Sequence, residues 1–232
     1  LLSFMKILND NWLIFDDEMS LSKALAQEIL NIAKKSIFEK YCFSIVLTGG
    51  QSVLSLYKIL SKADSNWNKW HIYIGDERCL PVNHKDRNNH VINETWLNNS
   101  PIPKRNIHFI QAEMSQDKAQ LEYESALQEV DKFDVVLLSM GEDGHVASLF
   151  PNHRHPKNRD VVVENDSPKS PKKRISLSYE RLNKSYNVFK VIIGEVKREA
   201  VALLIQGRII PISKIIGDRE GVYICENAIP KS

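Results

Sequence analysis

Apolar runs rich in β-branched residues recur along the chain at residues 12–15, 43–48, 71–74, 107–110, 133–139, 174–178, 188–193 and 222–225. Their shortness and composition predict strands. Between them the apolar positions change period. Leu21, Leu25, Ile29 and Ile32 recur at steps of three and four, as do Val53, Leu56, Tyr57 and Leu60, and then Ala200, Val201, Leu203 and Leu204. That spacing gives a helix one apolar face. Strands alternating with helices predict right-handed βαβ crossovers and an α/β fold with a mainly parallel sheet covered by helices on both faces. Ligands of such sheets lie beyond the carboxyl ends of the strands, so chemistry is expected in the loops after Leu47, Ile74 and Leu138. The least regular stretch, 151–173, holds four prolines and eight Lys, Arg or His residues and reads as a long surface loop around a short strand at 161–163.

At 232 residues, 43% hydrophobic and 26% charged, the chain has the composition of one large folded domain, 1–232, rather than of a disordered or fibrous protein. Thirty-one Lys and Arg against 29 Asp and Glu leave a net charge of +2, which gives no reason to expect nucleic acid or an anionic membrane as partner of the whole surface. Any anion site must be local. Cys42, Cys79 and Cys225 form neither a metal-binding spacing nor an even disulfide set, which suits a reducing cytoplasm. The opening LLSFMKILNDNWLIF is broken by Lys6, Asn9, Asp10 and Asn11 before a signal-peptide core can build, and Met5 is an expected natural start.

Four segments carry candidate chemistry. In LTGGQS, a buried strand opens into a helix through Gly49, Gly50, Gln51 and Ser52. The glycines let the backbone approach a ligand, and the helix start offers free N–H groups, as a phosphate cradle needs. The plainer alternative is a tight turn with Ser52 as N-cap. In GDERCLP, Asp76, Glu77 and Arg78 follow a strand at the ligand edge, where charges must be solvated, paired or used. Cys79 beside them reads as a packing residue.

In SMGEDGHVASLFP, an almost wholly apolar strand runs into a glycine-bracketed loop that presents Asp143 two residues before His145. A carboxylate beside an imidazole is the arrangement that orients it for acid–base work. Zinc is the weaker reading, because the next histidines, His153 and His155, lie eight and ten residues on. In SPKSPKKRISLS and GEVKREAV, Arg174 and Lys197 place cations near the same edge. Lys197 at a helix start is unfavourable unless an anion compensates it. Lys169, Lys172 and Lys173 read as solvated surface charge.

In this order, the five strings LTGGQS, GDERCLP, SMGEDGHVASLFP, SPKSPKKRISLS and GEVKREAV resemble the 6-phosphogluconolactonase family from about Phe43 onward. The resemblance implies a Rossmann-like fold, shared with hexosamine-phosphate deaminases and sugar-phosphate isomerases. It implies a cytoplasmic, cofactor-free and metal-free hydrolase acting on a small sugar-phosphate lactone, with no obligate protein partner. In that reading His145 is the acid–base group, Asp143 or Asp76 orients it, and Arg78 meets either the oxyanion or the phosphate. Gly49, Gly50, Gln51, Ser52, Arg174 and Lys197 hold the phosphate. Two departures stand out: Val53 where the family usually has proline, and Asn88-Asn89 where it usually has Ser-Asn. The competing readings are a deaminase, whose corresponding string looks like DGHIAFNEP with a glutamate where this chain has Phe150, and a catalytically silent sugar-phosphate sensor.

Overall fold

The computed structural model describes residues 10–231; the segment before Asp10, with Met5, Lys6 and Asn9, lies outside the described residues. The strands are β1 (Trp12–Phe15), β2 (Phe43–Leu47), β3 (Trp70–Ile74), β4 (Asp76–Arg78), β5 (Ile107–His108), β6 (Phe133–Ser139), β7 (Val161–Glu164), β8 (Arg174–Leu177), β9 (Ser185–Ile192) and β10 (Arg219–Cys225). The α-helices are α1 (Glu18–Lys40), α2 (Leu54–Leu60), α3 (Asn88–Thr95), α4 (Gln116–Leu127), α5 (Tyr179–Asn183) and α6 (Arg198–Ile205). Seven strands form one sheet in the order β1-β10-β9-β6-β2-β3-β5, and every neighbouring pair is parallel.

The apolar runs are continuous because both faces of this sheet are buried. Ile45 and Leu47 of β2, Val135 and Leu137 of β6, and Phe189 and Val191 of β9 face a core closed by α1, α2 and α3. Their alternating neighbours Val46, Val136, Leu138, Val188 and Ile192 face a second core closed by α4, α5 and α6. Helix α1 starts where Asp17 accepts the Ser20 N–H at 2.8 Å and ends at Tyr41, which takes the left-handed conformation with φ 63°. Of the periodic residues, Leu21, Leu25 and Ile29 are buried whereas Ile32 is half-buried, since the inward stripe drifts onto Ala33 and Ser36. In α6 the inward residues are Ala200 and Val201, and Leu203 turns outward.

The segment at 174–178, expected in the parallel sheet, instead lies in a second, antiparallel sheet ordered β4-β8-β7. Gly75 is the hinge between the two sheets: its N–H donates to the Leu47 carbonyl at 2.9 Å, and its own carbonyl accepts from Leu177 N at 2.8 Å. The chain thus leaves the parallel sheet after β3 and enters the small one as Asp76-Glu77-Arg78. This charged triplet is a strand rather than a solvated turn, with Asp76 and Glu77 buried.

One buried polar cluster joins layers distant in sequence. Asp134 on β6 accepts from Ser36 Oγ at 2.8 Å, Lys40 Nζ at 2.5 Å, and Ser44 N and Oγ at 2.8 and 3.1 Å, linking α1, β2 and β6. Removing this carboxylate leaves buried donors without an acceptor. We therefore expect Asp134→Ala to lower unfolding free energy by about 3 kcal/mol in urea titration. A loss within about 0.5 kcal/mol, the range for inert surface changes, would show that the cluster contributes nothing net.

Candidate active site

Four adjacent strands, β9, β6, β2 and β3, end at one side of the sheet, and β2 and β6 continue in opposite directions across it. This is the switch point where an α/β sheet opens a crevice. A cleft of about 530 Å³ lies there, and Thr48, Gly49, Gly50, Gln51, Ser52, Asp76, Arg78, His145, Arg174 and Lys197 all line it. Residues up to 149 positions apart in the chain thus line one cleft.

The loop after β6 is folded around one imidazole. Gly141 N–H donates to the His145 carbonyl at 2.8 Å, and Gly144 N–H to the Gly141 carbonyl at 3.2 Å. Asp143 Oδ1 accepts the His145 backbone N–H at 3.1 Å and stands 2.5 Å from His145 Nδ1. Partial burial would raise the Asp143 pKa, but the hydrogen bond and charge of His145 outweigh it and hold the carboxyl down at about 2. An ionised carboxylate can only accept, so Nδ1 carries a proton in this contact, and Nε2 is the ring nitrogen left to exchange a proton with a ligand. Gly141 has to be glycine: a Cβ there would lie 2.0 Å from His145 Nδ1. Phe150, buried, stacks obliquely on the imidazole with ring centroids 4.6 Å apart, and the Arg174 guanidinium lies 5.5 Å from the Phe150 ring centre.

Asp143, not Asp76, therefore contacts the imidazole. Asp76 is held elsewhere in the cleft, accepting from Asn88 Nδ2 at 3.0 Å and from Ser148 Oγ at 2.5 Å. Asn88 and Ser148 escaped the sequence reading, although Asn88 stood out as a departure from the family pattern. It packs so close to Gly49 that a Cβ on Gly49 would meet Asn88 Oδ1 at 1.9 Å. Glu77 is also structural in a way its motif did not disclose. It is buried and accepts from Arg78 N at 2.7 Å, Asn88 N at 2.8 Å and Asn89 N at 2.9 Å, so it caps α3 and fixes both Arg78 and Asn88.

The cleft is flanked by two turns of the same design. Gly50, with φ 96°, precedes the 3₁₀ turn Gln51–Val53, and Gly194, with φ 100°, precedes the 3₁₀ turn Glu195–Lys197. Each is a left-handed glycine followed by N–H groups at a helix start. Ser52 sits inside its turn and caps nothing: Gly50 and Val53 occupy the N-cap positions, and neither makes a side-chain cap. Among charged residues, Arg174 on β8 is buried and its pKa is lowered by burial, with Asp76 opposing. Lys197 is pulled down first by burial, against Glu142, with Lys169 adding to the fall. His153 and His155 lie away from the cleft, against Glu164 at 2.8 and 3.8 Å.

A parallel sheet with a cation-lined crevice and an Asp-oriented imidazole at its switch point has the layout of an enzyme of the doubly wound α/β class. The family model for glucosamine-6-phosphate isomerases/6-phosphogluconolactonase matches residues 16–224. The chain belongs to that family. It is 34% identical over 234 residues to 6-phosphogluconolactonase 3, chloroplastic, of Arabidopsis thaliana, covering 92% of this chain and 72% of the plant protein. It is 35% identical to the probable 6-phosphogluconolactonase 4, chloroplastic, of Oryza sativa subsp. indica, over 82% of this chain and 64% of the relative's length. The crystal structure of 6-phosphogluconolactonase from Thermotoga maritima superposes with a TM-score of 0.86 at 28% identity, covering 92% of this chain and 98% of that one.

The geometry makes Gly141→Ala a direct test of the loop. A methyl group there must push the imidazole off Asp143, so the downfield Nδ1 proton resonance of His145 should disappear while the circular dichroism spectrum stays unchanged. A retained resonance would mean that the loop absorbs the methyl group without moving the ring.

Proposed function

We propose that this protein hydrolyses 6-phospho-D-glucono-1,5-lactone to 6-phosphogluconate, the second step of the oxidative pentose phosphate pathway. The observation that carries the reading is the apolar ring of Phe150 against an imidazole whose other side is held by Asp143. A deaminase of the same family is expected to need a carboxylate at that position, whereas ester hydrolysis needs one base and a fixed positive field.

The catalytic cycle follows from the groups at hand. The Gly50 turn, Arg174 and Lys197 hold the phosphate and so place the distant C1 carbonyl. His145 Nε2 removes a proton from water, and the hydroxide adds to C1. The resulting tetrahedral oxyanion collapses by breaking the bond to the ring oxygen, which takes the proton back from Nε2. Asp143 keeps Nδ1 protonated throughout and balances the imidazolium charge. Arg78 contributes a fixed guanidinium to whichever anionic end of the substrate reaches it. No step calls for a cofactor or a metal.

The chain acts in this reading as a single catalytic unit, without nucleic acid, membrane or obligate protein partner. Among the described residues no helix is long and apolar enough to cross a membrane. Three free cysteines, Cys42, Cys79 and Cys225, support a reducing compartment, which we take to be the cytoplasm.

Three outcomes are expected. Purified protein should accelerate the loss of freshly generated lactone above its spontaneous hydrolysis and leave glucosamine 6-phosphate untouched; the reverse pattern would assign it to the deaminases. His145→Ala should lower kcat by ~10²–10⁴-fold, the usual share of general acid–base catalysis, while 6-phosphogluconate still binds in titration calorimetry. Near-full activity in that variant would remove His145 from the reaction. Finally, prolonged dialysis against a chelator should leave the rate unchanged, since loss of activity restored by one divalent metal would contradict His145 acting as a free base.

A further inference from the structure

Lys169, expected to be plain surface charge, stands on the wall of the cleft together with Glu142. Its backbone is fixed: the Lys169 carbonyl accepts from Arg174 Nη2 at 3.0 Å and from Ser167 Oγ at 2.9 Å, and Ser167 is fully buried. Its ammonium donates to Glu142 Oε2 at 2.9 Å, between two residues that both line the cleft. The two residues belong to different loops, 27 positions apart, so the pair bridges the loop after β6 and the loop before β8. Glu142 is held below the usual carboxylate range by this hydrogen bond and by the Lys169 charge, with Lys197 adding to the same effect.

We propose that Glu142 is a built-in stand-in for the substrate's phosphate: it holds the Lys169 ammonium over the cleft until a phosphate arrives, and the phosphate then takes that ammonium over. Lys169 thereby becomes a further anion contact beside Arg174 and Lys197, and Glu142 sets how tightly phosphorylated ligands are held. The inference rests on the cleft being a sugar-phosphate site. Both side chains are more than half exposed, at 60% and 52%, and an ion pair in such surroundings has little net strength. Exchanging it is therefore cheap for a dianion that Arg174 and Lys197 also attract. A sugar without phosphate has nothing with which to displace Glu142. The same exchange has to be reversed before product leaves, because 6-phosphogluconate keeps its phosphate, so Glu142 assists release as much as it weakens binding.

The test measures dissociation constants of inorganic phosphate and of 6-phosphogluconate by calorimetry, for wild type, Glu142→Gln, Lys169→Ala and the double variant. Removing the stand-in should tighten both ligands by roughly two- to five-fold, the scale of an exposed ion pair, and Lys169→Ala should weaken both by about threefold or more. The double variant should match Lys169→Ala, because Glu142 acts through that ammonium. Unchanged affinity in Glu142→Gln overturns the proposal. So does equal tightening in the Lys169→Ala background, which would make Glu142 only a repulsive charge. Failure of the sugar-phosphate reading looks different: wild type itself would bind neither ligand, and the exchange proposal would fall with it.

Discussion

A parallel sheet buried on both faces can carry charge within its strands only where a partner holds it, as Glu220 holds Lys190 on β9. In this protein that constraint decides nearly everything about the site. Phe133 to Leu138 on β6 is buried and holds one acidic side chain, Asp134, which is tied to Ser36, Lys40 and Ser44. The charges that remain are pushed to the carboxyl edge, where strands β9, β6, β2 and β3 release their loops side by side. Gly75 then extends the edge by passing the chain from one sheet to the other. This is how Asp76 and Arg78 from β4 and Arg174 from β8 come to face loops that follow β2, β6 and β9.

Within the cleft the polar groups fall into two sets with different neighbours. Asp143 and His145 hold one another within five residues of backbone, braced by the Gly141 and Gly144 hydrogen bonds and by the Phe150 ring. The cations, by contrast, are supplied by three separate segments. The two guanidinium groups among them are held by backbone carbonyls rather than by a counter-ion: Arg174 donates to the Pro171 and Lys169 carbonyls, and Arg78 to the Asp86 carbonyl. Guanidinium groups satisfied by neutral carbonyls keep their charge available to a ligand. A local reacting pair with a distributed positive wall suits a substrate whose charge lies far from the bond that breaks.

Much of this was legible in the sequence because it is local. The DGH string encodes the Asp143–His145 contact through a two-residue spacing, and the central strands announce themselves as unbroken apolar runs. What the sequence withheld depends on long-range pairing. Asp76 lies opposite Ser176 and Arg78 opposite Arg174 in the small antiparallel sheet, close to a hundred positions away, so nothing local marks 76–78 as a strand and 174–178 reads as one more parallel strand. Helices α3 and α4 went unassigned because only scattered positions face the core: Ile92 in one, and Ala119, Tyr123 and Leu127 in the other. Lys169 carries no local mark that separates it from Lys172 or Lys173, since what makes it different is that the chain before β8 folds against the loop after β6.

The central claim is the division of labour between a phosphate-holding wall and a reacting imidazole pair. Its most direct measurement is kcat/KM for the phosphorylated lactone and for unphosphorylated gluconolactone, taken side by side in wild type, Lys197→Gln and Asp143→Asn. The account predicts that Lys197→Gln lowers kcat/KM for the phosphorylated substrate by about tenfold or more, as for a hydrogen bond to a charged group, and leaves the slow turnover of gluconolactone unchanged. Asp143→Asn should depress both substrates alike, because both need the same oriented base. Equal losses for the two substrates in Lys197→Gln, or a loss confined to the phosphorylated lactone in Asp143→Asn, would contradict it.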